Sequence, residues 1–291
     1  NYIETVVGPS EQKKRPGARA LVEAIAHKII TEVEDGPLYA AEIEMRFPSG
    51  LRRLGFLCQD RQYNSGAWMP QHHRAASQIA RNFAKHAIPI VTFIDTPGAD
   101  AGEEANSNNQ AHSISRLISE MANTGVPSLG IVIGAGYSGG AIPLATCNML
   151  LSVRDGIFNT IQPQGLASIA RKYQLSWQQC AKYVGVSPCE LFEKGCIDGV
   201  IDYSPADNGE TLVNLINAIT SGIESIEKRS AEFVMENPYI LDHYRRSVTR
   251  YLAPSKKLSA LEQQSSLLLA TSPTEHHNAF GLTYRYLRYL S

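Results

Sequence analysis

Residues 131–141 read Ile-Val-Ile-Gly-Ala-Gly-Tyr-Ser-Gly-Gly-Ala, an apolar stretch that leads into a glycine-rich turn and then a helical segment. Residues 90–99 read Ile-Val-Thr-Phe-Ile-Asp-Thr-Pro-Gly-Ala and follow the same plan. Strands that are almost entirely apolar are typical of sheets covered on both faces. The two stretches therefore predict an α/β fold in which two buried strands each end in a glycine loop.

The chain continues this alternation of strands and helices on both sides of the two stretches. The predicted elements are a helix at 18–33, strands at 42–47 and 51–58, helices at 73–87 and 109–124 separated by a strand at 90–94, a strand at 129–133, a short helix at 140–147, strands at 149–153 and 158–161, and a long amphipathic helix at 210–236. We expect an N-terminal helical segment at 1–35, an α/β domain at 36–207 and a helical C-terminal extension at 208–291.

The composition is that of an ordinary globular protein and argues against several classes. The 291 residues are 43% hydrophobic and 19% charged, and the formal net charge is -1. A nearly neutral chain has no general field that attracts nucleic acid or an anionic membrane. No stretch approaches the ~20 apolar residues of a membrane span, and the start shows no signal-peptide pattern. We expect a cytoplasmic protein that binds neither nucleic acid nor membrane.

The cysteines and histidines show no metal-binding pattern. The cysteines are scattered at Cys58, Cys147, Cys180, Cys189 and Cys196, without a C-x-x-C pair. Structural zinc sites commonly use such pairs, so we expect no metal in this chain. His72 and His73 are adjacent and would point in different directions, so we interpret them as ordinary polar residues at a helix start.

The glycine-rich stretch also matches the fingerprint of dinucleotide-binding proteins. Gly134, Gly136 and Gly139 have G-x-G-x-x-G spacing after a strand, and Asp155 ends the next strand. That pattern would place a pyrophosphate at a helix N-terminus. The segment between Gly140 and the next strand is shorter than the usual helix of that fold, which argues against this interpretation.

The same residues match the nucleophile elbow G-x-S-x-G of serine hydrolases, with Ser138 as nucleophile. A hydrolase would also need an acid and a histidine later in the chain. The candidates are Asp198, Asp202, His243, His276 and His277, none at the end of a clear strand. We favour a helix N-cap role for Ser138.

A third interpretation requires no side-chain nucleophile. The glycine pair Gly139-Gly140 at a helix start exposes amide N–H groups that lack intrahelical partners. Gly98-Ala99 occupies an equivalent place after the earlier strand. Amides of this kind stabilise a developing oxyanion. Residues 95–98 also resemble the D-x-x-G switch of GTPases, but the chain contains no G-x-x-x-x-G-K-[ST] loop, which excludes that class.

Four motifs in this order resemble the alpha subunit of bacterial acetyl-CoA carboxylase carboxyltransferase. They are residues 93–99, residues 125–127, residues 132–141 and Pro-Gln-Gly-Leu-Ala-Ser at 163–168. The resemblance covers roughly residues 70–203. It implies a crotonase-like fold, a superhelix of β-β-α turns with two roughly perpendicular sheets, for the domain at 36–207.

The resemblance also implies a chemistry and its residues. Such proteins move a carboxyl group from carboxybiotin, held on a biotin carboxyl carrier protein, to acetyl-CoA, and the malonyl-CoA product enters fatty acid biosynthesis. Gly139, Gly140, Gly98 and Ala99 match the backbone donors for the two developing oxyanions. Gly136, Tyr137, Ser138 and Gly165 match the surroundings of the biotin and substrate. Biotin and a coenzyme A thioester are the expected cofactors, without a metal in this chain.

The resemblance further implies a hetero-oligomer. A beta-type carboxyltransferase subunit of the same fold would supply the zinc ribbon and most of the coenzyme A site. The tyrosine-rich residues after 236 are a candidate subunit contact. Tyr137, the stretch 100–109, Gln164 and Leu166 depart from the family pattern. A noncatalytic scaffold or regulatory subunit of the same fold therefore remains the alternative, followed by the serine hydrolase.

Overall fold

The computed structural model describes Ile3 and residues 15–205, 207 and 209–236. Its helices are α1 (Ala18–Ile25), α2 (Pro70–Lys85), α3 (Glu103–Ser107), α4 (Gln110–Asn123), α5 (Ser138–Ala145), α6 (Pro163–Ile169), α7 (Trp177–Val184), α8 (Pro188–Glu193) and α9 (Leu212–Glu236). Its strands are β1 (Lys28–Asp35), β2 (Leu38–Phe47), β3 (Gly50–Gln59), β4 (Ile90–Thr96), β5 (Ser128–Tyr137), β6 (Met149–Val153), β7 (Ile157–Asn159) and β8 (Gly199–Ile201). Single 3₁₀ turns lie at Asn64–Gly66 and Arg171–Tyr173.

The strands form one mixed sheet in the order β1-β2-β3-β4-β5-β6-β8. The first three strands are antiparallel, and every pairing from β3 to β8 is parallel. The first part of β5 pairs with β6 and its last part, from Ala135 to Tyr137, pairs with β7. The strands therefore form one hydrogen-bonded sheet that branches at β5, and the perpendicular arrangement of two sheets implied by the resemblance stays a prediction.

Two hydrophobic layers cover this sheet and make the fold α/β, as predicted. On one face, α1 and α9 pack against the strands through residues such as Val22 and Ile219. On the other face, α2, α4 and α5 contribute residues such as Phe83, Leu117 and Leu144. Because both faces of β4 and β5 are buried, the loops at their ends rest on a rigid support.

Most of the predicted elements are confirmed, but the first helix is wrong in length. The helix predicted at 18–33 ends at Ile25, and Lys28–Asp35 is the edge strand β1, paired with β2 from Lys28–Glu44 to Asp35–Leu38. Pairing with β2 decides its conformation. The division of the chain at residues 35 and 207 stays a prediction.

Two loops also contain more regular structure than the sequence predicted. The strand expected at 129–133 continues through the glycines to Tyr137, because β7 pairs with its last residues. Between the strand predicted at 90–94 and the helix predicted at 109–124, the structure contains α3, with Glu103 and Glu104 in its first turn. Capping boxes are present at Ser176, before α7, and at Ser187, before α8. The extension beyond Glu236, including its tyrosines, lies outside the described residues.

His72 and His73 are buried near the start of α2. The His73 ring packs edge-on against Trp68, with 5.3 Å between the centroids, and its Nδ1 lies 3.2 Å from the Met69 carbonyl oxygen. Burial lowers the pKa of His73 to about 4. In the described part of the chain, no group of three or more potential ligands could hold a metal ion, and no helix there could cross a membrane.

The buried His73 predicts a specific loss of stability in mild acid. Its folded pKa of about 4 lies below the reference value of 6.5, so folding favours the neutral ring. This contribution is complete above pH 6.5 and is lost as the pH falls from 6.5 to 4. Urea unfolding should show a smaller decline across this window for His73→Phe than for the wild type. Equal declines in the two proteins would contradict the assignment.

Candidate active site

The two glycine loops predicted from the sequence lie against each other. Strands β4 and β5 are parallel neighbours, so their carboxyl ends meet at one edge of the sheet. A Cβ at Gly140 would lie 2.5 Å from the carbonyl carbon of Gly98 and 3.0 Å from Cα of Ala99, and would overlap the Ala99 nitrogen. Gly98 has φ +131°, a conformation that favours glycine. The structure thus brings Gly98, Ala99 and Gly140 into backbone contact.

The amides in these loops differ in how free they are to bind a ligand. The Gly98 N–H donates to Thr96 Oγ1 at 3.2 Å, and the Thr96 hydroxyl donates to the Gly98 carbonyl at 2.8 Å. Gly139 and Gly140 are the second and third residues of α5, so their N–H groups have no intrahelical acceptor. Gly139 is exposed, and its nearest neighbour for an added Cβ is Ile114 Cδ1 at 3.9 Å. The best-placed ligand donors are therefore those at the start of α5.

Tyr137 lies beneath this surface. Its side chain is 4% exposed and belongs to a small hydrophobic cluster with residues including Ile157 and Val186. Burial raises the pKa of the Tyr137 hydroxyl. Gly136 is also buried, and a Cβ there would lie 2.7 Å from the Phe158 ring. The predicted contacts of Tyr137 and Gly136 with biotin stay predictions.

Gly165 lies in α6, which is linked to the first glycine loop. The residue preceding α6, Gln162, donates through Nε2 to the Pro97 carbonyl at 3.0 Å. Gly165 is half-buried near Ile161. The helix therefore borders the candidate site, and the predicted contact of Gly165 with substrate stays a prediction.

Ser138 is exposed and has φ 60°. It is the first residue of α5, the N-cap is Tyr137, and no side-chain cap bond is present. The predicted N-cap role of Ser138 is therefore wrong. The two acidic residues considered for a serine hydrolase have other partners. Asp198 accepts the Leu150 N–H at 2.7 Å, and Asp202 pairs with Arg154 at 3.1 Å.

The alternative chemistries are not assembled in the described part of the chain. His243, His276 and His277, the histidines that a hydrolase would use, lie outside the described residues. Asp155, the acidic residue of the dinucleotide fingerprint, pairs instead with the buried Arg15 at 3.1 Å and accepts the Ser204 hydroxyl at 2.6 Å. Helix α5 has eight residues and contains Pro143, so it is shorter than the usual helix of a dinucleotide site.

A buried carboxylate that the sequence analysis missed lies at the base of both loops. Asp95 is 2% exposed, and its Oδ1 accepts the Ala135 N–H at 2.9 Å and pairs with Arg61 at 3.2 Å. Burial raises the pKa of Asp95, while Arg61, the Ala135 N–H and Arg15 oppose that rise. Arg61 follows β3, the other neighbour of β4, and this adjacency was the available signal.

Two buried glutamines hold the loops from the sides. Gln59 donates through Nε2 to the Gly140 carbonyl at 2.8 Å. Gln110 donates to the Trp68 carbonyl at 2.6 Å and to the Asp100 carbonyl at 3.0 Å. Both glutamines are at most 5% exposed. Because these amides bond the main chain, they fix the loop backbones without occupying the exposed surface at Gly139.

This arrangement of strands, helices and loops defines the class of protein by its fold, which is crotonase-like. A transcarboxylase 12S structure with methylmalonyl-coenzyme A and methylmalonic acid bound superposes with a TM-score of 0.64 at 17% identity, over 77% of this chain and 44% of that one. The beta subunit of geranyl-CoA carboxylase from P. aeruginosa gives 0.58 at 19% identity, over 75% and 44%. These likenesses establish the α/β crotonase-like fold.

The sequence places the chain more closely. Residues 57–243 match the family described as acetyl co-enzyme A carboxylase carboxyltransferase-like, and the chain belongs to this family. An acetyl-coenzyme A carboxylase carboxyl transferase subunit alpha from Fusobacterium nucleatum is 33% identical over 180 residues, 60% of this chain and 58% of that protein. The Streptococcus sanguinis subunit is 30% identical over 190 residues, covering 65% and 74%. The match thus spans little more than half of the Fusobacterium relative.

The backbone contact predicts that two adjacent glycines tolerate substitution differently. Gly140→Ala forces a Cβ into the backbone of Gly98-Ala99 and should lower the free energy of unfolding by about 1–3 kcal/mol or more. In Gly139→Ala the added Cβ makes no close contact, and alanine has a better helix propensity than glycine. The free energy of unfolding should therefore change by less than about 1 kcal/mol. Thermal and urea unfolding measure both, and similar effects of the two variants would contradict the packing.

Proposed function

We propose that the chain is the alpha-type subunit of a biotin-dependent carboxyltransferase that acts on an acyl-CoA resembling acetyl-CoA. The observation that carries the proposal is the contact between Gly140 and Gly98-Ala99. It assembles backbone donors from two strand ends at one place, and the family match at 57–243 includes both loops. An enolate that forms from a thioester requires such donors.

The exposed start of α5 fits the oxygen of a thioester or of a biotin ureido group. Gly139 is exposed, and a Cβ there would be 3.9 Å from its nearest neighbour, so a ligand carbonyl has room to approach this end of the helix. The helix dipole adds a partial positive charge at the same end. Gly136, Tyr137, Ser138 and Gly165 border this place, and we assign them to the surroundings of biotin and substrate.

In the proposed reaction the chain acts through backbone dipoles. Biotin, when bound, supplies the carboxyl group and a ureido group that takes the α proton of the thioester. Amides at Gly139 and Gly140 stabilise one developing oxyanion, and the Gly98-Ala99 loop faces the other. Since the Gly98 N–H is bonded to Thr96, the Ala99 amide is the better donor of that pair. Loss of one such donor typically lowers the rate by roughly 100- to 1,000-fold.

The proposal includes partners that the chain requires. The curated relatives are named as alpha subunits, which supports a beta-type subunit as the other half of the active site. A biotin carboxyl carrier protein would deliver the carboxyl group, and the setting would be a cytoplasmic hetero-oligomer of fatty acid biosynthesis.

The proposed function predicts activity only in the assembled complex. The purified chain alone should not decarboxylate malonyl-CoA, whereas the chain with a zinc-ribbon beta-type subunit should do so in the presence of biotin. Release of acetyl-CoA measured by chromatography tests this expectation. Failure with the partner present would contradict the proposal and favour a noncatalytic scaffold.

Substitution of Ser138 separates the proposal from a serine hydrolase. Ser138 is exposed at the first position of α5, and Ser138→Ala keeps every backbone donor. We expect the variant complex to retain malonyl-CoA decarboxylation within about tenfold, because the transition-state interactions come from amides. Ester hydrolysis by the wild-type chain that disappears in Ser138→Ala would overturn the carboxyltransferase assignment.

A further inference from the structure

We propose that Asp95 is a positioning residue that sets the alignment of the two glycine loops, an inference that rests on the proposed carboxyltransferase function. The pairing of β4 with β5 changes register at this residue. Ile94 pairs with Val132, and Thr96 pairs with Gly136. Only Asp95 lies between these pairs on β4, whereas residues 133–135 lie between them on β5. Strand β5 thus carries a bulge opposite Asp95.

The Asp95 carboxylate replaces the main-chain acceptor that the bulge removes. Its Oδ1 accepts the Ala135 N–H at 2.9 Å, within the bulge itself. An unpaired buried N–H would be costly, so this bond stabilises the irregular register. The register in turn determines how far α5 starts from the end of β4, and hence where Gly140 meets Gly98-Ala99.

Two glycines, Gly134 and Gly66, pack closely against Asp95. A Cβ at Gly134 would lie 2.5 Å from both Cγ and Oδ2 of Asp95. A Cβ at Gly66 would overlap the Asp95 carbonyl oxygen. Glycine is therefore required on both sides of this residue. The carboxylate is enclosed by backbone, with Arg61 as its charged partner at 3.2 Å.

Arg61 gives the carboxylate a second role in the electrostatics of the site. An uncompensated negative charge beneath the loops would oppose a developing oxyanion. The guanidinium of Arg61 is 15% exposed and balances that charge. The pair therefore aligns the donors and preserves their positive potential. We expect substitution of either partner to reduce transition-state stabilisation more than substrate binding.

Amide hydrogen exchange of the full chain tests the alignment without any assay of activity. In Asp95→Ala, which leaves the Ala135 N–H without its acceptor, peptides covering 97–101 and 136–141 should exchange faster than in the wild type, while peptides of α9 should not change. Arg61→Gln should reproduce this pattern with the carboxylate in place, and Arg61→Lys should partly restore slow exchange. Glu120→Gln, which breaks a surface pair with Arg81, is the matched control and should leave exchange at both loops unchanged.

Kinetics of the complex with a beta-type subunit provide the second readout. Asp95→Ala should lower kcat by about 100-fold, the scale of a roughly 1 Å displacement of a catalytic group, with KM unchanged. Asp95→Ala and Arg61→Gln combined should be no worse than the more severe single variant. If Asp95→Ala does not fold, Arg61→Gln decides the question.

Unchanged exchange at both loops in the folded variants, or a rise in KM alone, would overturn the role of Asp95. A wild-type complex that is inactive with malonyl-CoA would instead count against the proposed function. Exchange at the loops would then still decide whether Asp95 aligns them, so the two failures are distinguishable.

Discussion

The close approach of Gly140 to the backbone of Gly98 and Ala99 is the constraint on which the rest of the site depends. Two main chains come so near that a single methyl group would collide with them. Such contact is possible only for glycine. It requires parallel neighbouring strands, a fixed register and loops that do not drift. Each of these requirements has an identifiable source in the described residues.

Register comes from the bulge in β5 and the Asp95 carboxylate that satisfies it. Loop position comes from buried amides, with Gln59 bonding Gly140 and Gln110 bonding Asp100. Rigidity comes from a sheet buried on both faces. These contacts lie below and beside the exposed start of α5, so they preorganise the donors while leaving Gly139 accessible. Preorganised dipoles of this kind need little reorganisation as charge develops.

Local sequence patterns predicted the elements of the fold because apolar periodicity and glycine turns are local signals. These patterns failed where pairing with another strand determines the secondary structure. Lys28–Asp35 is a strand because it pairs with β2. Strand β5 extends to Tyr137 because its last residues pair with β7. The candidate donors at Gly98-Ala99 and Gly139-Gly140 were found from their equivalent places after two buried strands.

The supporting residues could not be found in the same way. Asp95 pairs with Arg61, 34 residues earlier in the chain, and neither residue belongs to a recognisable motif with the other. Tyr137 lies in a hydrophobic cluster, because the strand β5 continues past the glycines, and its predicted contact with biotin stays a prediction. The sequence pointed to the candidate donors, and only the packing shows what holds their loops in place.

Replacement of single backbone amides by esters tests the central claim most directly. Introducing glycolic acid in place of Gly139 or Gly140 removes one N–H and leaves both side-chain positions unaltered. The account predicts that at least one of these replacements lowers malonyl-CoA decarboxylation by the complex by roughly 100-fold or more, without loss of folding. Full activity with both replacements would show that these amides do not stabilise the reacting oxygen.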